Sequence, residues 1–220
     1  MKVFLPMLLL CVFVTACGNS GNDETPPATN QDLNRENQTG TAAVAAIPFP
    51  ELFANLEQRD TAFFAEAFGD FSAPSALDTL GALPYAEEDG EKFQRFIIYN
   101  GDSTRAIDPY SYNHLLVERG GREKLVSGGP DTEVGMIDFT KGTRQRLLYF
   151  GPSYILMDAR WKGSDTVLFA ITEAIGNNKI SPEIWEVDLG TMTKRVRRYP
   201  DTLSFNVDTY RNEKLDGIGN

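Results

Sequence analysis

The sequence predicts a mainly β fold with N-terminal helices, an α+β chain whose strands make an antiparallel meander sheet or a small sandwich. Two observations carry this. From Phe93 onward, runs rich in β-branched and aromatic residues alternate with period two. Between them lie Asn100-Gly101, Gly120-Gly121, Lys141-Gly142, Gly163-Ser164-Asp165 and Gly190-Thr191, tight-turn chemistries that supply positive φ. Short connections make successive strands antiparallel neighbours.

The elements follow in chain order. Pro50 suits a first helical position, and Leu52, Phe53, Leu56, Phe63, Phe64, Ala67 and Phe68 recur at helical steps toward a stop at Gly69. Asp60-Thr61 interrupts the pattern as an N-cap would, giving two short helices. A further short helix is expected from Pro74 to Leu80, ended by Gly81. Expected strands are 93–99, 112–118, 123–127, 134–139, 145–150, 154–160, 166–172, 183–189 and 194–199. Trp161 and Trp185 sit in apolar strand contexts and are expected in the core.

The N-terminus has a different character. Lys2 precedes an apolar run from Val3 to Val14, broken only by Pro6. That run is shorter than the ~20 residues needed to span a bilayer. Thr15 and Ala16 are the small residues of a cleavage site, directly before Cys17. Residues Val14-Thr15-Ala16-Cys17 resemble the lipobox of bacterial lipoproteins. The resemblance implies cleavage before Cys17, a diacylglyceryl thioether on Cys17 and acylation of the new N-terminus. Two or more chains anchor stably to a bilayer, so the implied partner is the lipid bilayer. Gly18 stands where an Asp would resemble an inner-membrane retention signal, which favours the outer membrane. The Asp23-Glu24 pair faintly resembles surface-export signals, and the periplasmic and surface faces both stay open.

The organisation that follows is a signal peptide over 1–16, a lipidated Cys and disordered tether over 17–47, one domain over 48–210 and a tail over 211–220. Within the domain, 50–81 is helical and 93–207 β-rich. The tether is rich in Asn, Gly, Thr, Gln and Pro with almost no large apolar residue, too little to offset the entropy of ordering it.

A second, local resemblance covers about residues 134–199. Ala159-Arg160-Trp161-Lys162-Gly163-Ser164-Asp165 leads into Val167-Leu168-Phe169-Ala170, then Ile184-Trp185-Glu186-Val187-Asp188-Leu189 and Thr193-Lys194-Arg195-Val196. Met136 to Arg144 repeats the second half. The pattern is similar to a β-propeller blade of TolB-like periplasmic proteins. A closed propeller needs at least four four-stranded blades, more strands than the chain provides, so a complete propeller is not expected.

Composition narrows function by exclusion. With 21 Lys+Arg against 31 Asp+Glu and a formal charge of −10, the chain lacks the basic surface that nucleic acid requires. The chain has two cysteines, and the lipobox resemblance implies that Cys11 leaves with the signal and Cys17 carries the lipid, so no disulfide framework or Cys-based metal site is expected. One histidine, no Gly-x-Ser-x-Gly elbow and no phosphate loop occur. No catalytic residue, metal or cofactor is therefore assigned.

Two groups remain as candidate ligand contacts. On an extended chain Asp108, Tyr110, Tyr112 and His114 share one face, where they would make an aromatic platform for a sugar or a base with donors; the alternative is ordinary hydrogen-bonded structure. Arg195 and Arg197 alternate onto one face of a basic run that includes Lys194 and Arg198. They fit contact with lipid A phosphates, an acidic glycan or an acidic partner, or an edge strand that charge protects against pairing. Asp158, Asp165, Glu183, Glu186 and Asp188 are the carboxylates a glycosidase or calcium reading would use, yet none lies in an EF-hand spacing. The expected function is a membrane-tethered binding or assembly module for an envelope protein or glycan. The alternative is an enzyme that processes envelope glycans or peptides.

Overall fold

The computed structural model describes residues 48–86 and 92–218. The expected signal peptide, Cys17 and the tether lie outside the described residues. Within them the chain is mainly antiparallel β with two helices, α1 (Pro50–Arg59) and α2 (Val207–Ile218).

The strands are β1 (Ser75–Ala76), β2 (Leu83–Pro84), β3 (Ile98–Tyr99), β4 (Arg105–Asp108), β5 (His114–Arg119), β6 (Arg122–Ser127) and β7 (Thr132–Asp138). There follow β8 (Thr143–Phe150), β9 (Tyr154–Trp161), β10 (Thr166–Gly176), β11 (Lys179–Asp188), β12 (Thr193–Arg198) and β13 (Leu203–Ser204). One sheet runs β1-β12-β11-β10-β9, with β13 beside β11; a second runs β2-β8-β7-β4-β3; β5 and β6 form a hairpin. None of these sheets, among the described residues, closes on itself or builds a propeller.

Alternation decides which faces meet. Ile107, Val134, Leu147, Leu148 and Phe150 of the second sheet share one buried cluster with Leu156, Val167, Phe169, Ile171, Trp185 and Val187 of the first. The opposite face of the first sheet, bearing Met157, Leu168, Ala170, Ile180 and Ile184, is covered by Leu52, Phe53 and Leu56 of α1 and by Val207 and Tyr210 of α2. Trp185 lies in the shared core, edge-on to Phe150 at 5.5 Å. Trp161, expected beside it, is only half-buried; its indole N–H donates to the Ile98 carbonyl at 2.8 Å and so ties β9 to the second sheet.

α1 ends where Asp60 breaks the pattern. The Asp60 N–H closes the last turn on Leu56, while its carboxylate accepts from the backbone of Ala62 at 2.9 Å and Ser204 at 2.7 Å. The expected second helix is a single 3-10 turn at Ala65–Ala67. Its phenylalanines divide: Phe63 and Phe68 pack with Phe53 and Tyr199 at ring separations of 5.3–6.3 Å, whereas Phe64 is 62% exposed.

Three further expectations are corrected. The helix expected over 74–80 does not form. Residues 69–77 are extended along β12, through Gly69 to Arg198, Ser72 to Val196 and Leu77 to Met192. An isolated helix of that length is marginal in water, and the open edge of β12 offers backbone partners instead. The strand expected at 93–99 is a 3-10 turn at Gln94–Phe96 with a two-residue strand behind it, and β4 was not anticipated. The tail expected from 211 belongs to α2, where Asn206 accepts the Thr209 N–H at 3.0 Å and Lys214 pairs with Asp158 at 2.6 Å.

Candidate functional site

The second sheet has an outer face that the inter-sheet core leaves free. In its register Asp108 on β4 lies opposite Gly135 on β7, Gly135 opposite Arg146 on β8, and Ile137 opposite Arg144. Paired residues point to the same side of a sheet, so Asp108, Glu133, Arg144 and Arg146 converge there. Ala106 and Ile137, on the same face, are sealed by Ile97 and Tyr85. Beyond that seal opens a cleft of about 450 Å³, bounded by the chain around Leu80–Ala86, by Phe93 and Ile97, and by Ser111 and Tyr112.

An ion triad forms the floor. Arg144 donates through Nε to Asp108 at 3.1 Å and through Nη1 to Glu133 at 2.6 Å, and its Nη2 reaches Ser111 Oγ at 3.5 Å. Burial favours the neutral guanidine, but Asp108 and Glu133 outweigh it and raise the Arg144 pKa. Gly135 makes this possible. A Cβ there would come within 2.6 Å of the guanidinium carbon, so the missing side chain is the seat on which Arg144 lies.

Asp108 also shapes the chain that follows. Its carboxylate accepts from the N–H groups of Tyr110 at 3.3 Å and Ser111 at 3.0 Å, and from Ser111 Oγ. This Asx turn ends β4 and breaks the extended parity assumed for 108–114. The four residues therefore do not share a face. Asp108 and Tyr112 line the cleft. Tyr110 packs away from it, edge-on to Phe96 at 6.3 Å and to His114 at 5.4 Å, and burial raises its pKa. His114 is buried, with Nδ1 2.9 Å from the Tyr112 carbonyl and Nε2 without a hydrogen-bond partner. Burial holds its pKa below the usual value, and the neutral ring serves the packing of the β5–β6 hairpin.

The basic pair is engaged elsewhere. Arg195 pairs with Glu186, which also holds Lys162 at 2.6 Å. Burial pushes the Glu186 pKa up, but the two cations outweigh it and set it low. Arg197 donates to the carbonyls of Gly69 at 2.7 Å and Phe68 at 3.0 Å. The Phe71 ring lies beneath both guanidiniums, at 5.0 and 5.3 Å. These arginines fasten residues 68–76 to β12, which is therefore no exposed edge over that stretch.

The remaining carboxylates have local partners. Asp158 pairs with Lys214 and Asp165 with Arg105. Glu183 accepts from the Trp185 indole at 2.6 Å and from Arg198 at 2.7 Å. Asp188 caps the backbone of Gly190 and Thr191. Among the described residues no group of three or more His, Cys, Asp or Glu is arranged to hold a metal ion.

The cleft residues that sequence reading missed are Glu133, Gly135, Arg144 and Arg146. The alternation Thr143-Arg144-Gln145-Arg146 placed both arginines on one face, but nothing local pointed to acids on β4 and β7 as their neighbours. No protein-family profile matches the chain, and no curated protein or solved structure matches it either.

Proposed function

We propose that the chain is a lipid-anchored envelope protein whose domain is a binding or assembly module without chemistry of its own. The single observation behind the binding reading is the cleft, which presents aromatic and apolar walls over a floor held rigid by the Arg144 triad. Both carboxylates on that floor are ion-paired to one guanidinium, an arrangement that favours a fixed shape over proton transfer, since a general acid or base must exchange its proton during turnover. The only histidine of the chain packs away from the cleft against Tyr110.

The anchor is carried by Val14-Thr15-Ala16-Cys17, and Gly18 after the cysteine supports the outer membrane as its location. An envelope protein or glycan is the proposed class of partner. In this reading the β9–β12 meander is a propeller-blade-like unit that serves as one layer of a small sandwich.

Fractionation of cells that express the protein tests the anchor. Cys17→Ala should abolish incorporation of a labelled fatty acid and move the protein out of the membrane fraction. Retention of the variant on membranes washed at high salt would overturn the anchor. Turnover of peptidoglycan fragments or peptide esters by the purified full chain would replace the module reading with the enzyme reading.

A further inference from the structure

Arg146 is the odd member of the cleft. Arg144, Arg105, Arg195 and Arg198 each meet a carboxylate. Arg146 has no ion-pair partner among the described residues, although it belongs to a chain with ten more acids than bases. Its Nε is buried and without a hydrogen-bond partner. Its guanidinium carbon lies 5.2 Å from the centre of the Tyr149 ring, which holds it in place at the cleft wall. A buried donor left unpaired costs about 1–3 kcal/mol. A stacked, partly desolvated guanidinium is also the side chain best suited to a planar anion.

The rest of the cleft supplies the other half of a ligand's description. Leu80, Leu83, Phe93 and Ile97 line it with apolar surface, and Leu83 is 68% exposed. A volume of about 450 Å³ is that of a small-molecule site. Charge narrows the anion further. Two carboxylates and two guanidiniums make the lining neutral before any ligand binds, but both carboxylates are held by Arg144, so Arg146 is left without a counter-ion of its own. A singly charged carboxylate supplies that counter-ion and adds one negative charge to the cleft, whereas a doubly charged phosphate would add two beside Asp108 and Glu133.

We infer that this cleft is the site of a small amphipathic monocarboxylate, with its carboxylate on Arg146 and its apolar body against Leu80, Leu83, Phe93 and Ile97. The inference rests on the reading of the domain as a binding module and names the ligand class of that same cleft.

The test uses the full chain in nanodiscs of zwitterionic lipid, with empty nanodiscs as the blank. The probes are 4-phenylbutyrate, its uncharged counterpart 4-phenylbutanol, and phenyl phosphate, titrated calorimetrically at pH 7.5. The acid should bind about tenfold or more tighter than the alcohol, the scale of a hydrogen bond to a charged group, and phenyl phosphate more weakly than the acid. Arg146→Gln should bring acid and alcohol to the same affinity. Should Arg146→Gln fail to fold, Leu83→Asp, at an exposed position, should weaken the acid more than the alcohol.

Equal binding of acid and alcohol to the unmodified chain, tighter binding of phenyl phosphate, no binding of any probe, or equal losses for both probes in Leu83→Asp would each overturn the inference. Recovery of a chemically altered probe would overturn the module reading and leave the assignment of the carboxylate to Arg146 standing.

Discussion

Gly135→Ala should destabilise the domain through an arginine it does not itself contain. Backbone strain is not the cause, because Gly135 is absent from the positions with positive φ. The added methyl would lie within 2.6 Å of the Arg144 guanidinium and push that flexible end away. Asp108 and Glu133, with side chains only 4% and 12% exposed, would then lose their counter-charge. Removing one partner of a buried pair costs about 3–5 kcal/mol. Here the guanidinium is displaced rather than deleted, and Asp108 keeps its bonds to Ser111, so about 2–3 kcal/mol is expected. With a urea m-value of about 1–3 kcal/mol/M, the midpoint should fall by roughly 1 M. The decisive measurement is the same substitution in an Arg144→Ala background. With no guanidinium to displace, the change should be near neutral or gain about 0.5 kcal/mol, because alanine restricts the unfolded chain. Equal costs in the two backgrounds would refute the seat role of Gly135.

The two tryptophans should separate. Trp185→Ala should cost about 3–5 kcal/mol as a large-to-small core change, and Trp161→Ala about half as much because only part of its surface leaves water; chemical denaturation of both variants checks the order, and equal losses would place Trp161 in the core after all. His114 should make stability depend on pH. Its folded pKa lies below the ordinary 6.5 through burial, with Asp108 and Arg211 as the charged groups that act on it and Tyr110 against its ring. Its contribution is therefore complete above about pH 6.5 and is lost as pH falls through the folded pKa. His114→Gln should flatten the fall in urea midpoint below pH 6.5, and an unchanged slope would show that other groups set it.

The candidate site was less legible than the strands around it, and Asp108 shows why. Reading 108–114 as one extended face requires an unbroken strand. The Asp108 carboxylate instead turns the chain at Ser111, and Tyr112 and Tyr110 leave in different directions. The consequence reaches the variants. Asp108→Asn, a mild change if Asp108 stood on an open platform, removes one of two charges that hold Arg144 and should disturb the fold itself. The engagement of Arg195 and Arg197 within the fold was illegible for a similar reason, since some of their partners, Phe68 and Gly69, are remote in sequence and Glu186 lies across a strand pair.

What the sequence by itself determined is what depends on neighbours within a few residues. Period-two alternation marks the strands from β5 to β12, because side chains along a strand point alternately to its two faces. Gly120-Gly121 marks the β5–β6 hairpin, because both residues take positive φ, at 63° and 75°, as its tight turn demands. Pro50 marks the start of α1, because its ring presets the helical φ. Tertiary structure decided everything that depends on an open edge or a strand register. Residues 75–77 are extended because β12, more than a hundred residues later, has an edge to pair. Arg144 finds two acids because β4, β7 and β8 align Asp108, Gly135 and Glu133 beneath it. Such contacts are set by which chain segments meet, and local composition carries no record of that meeting.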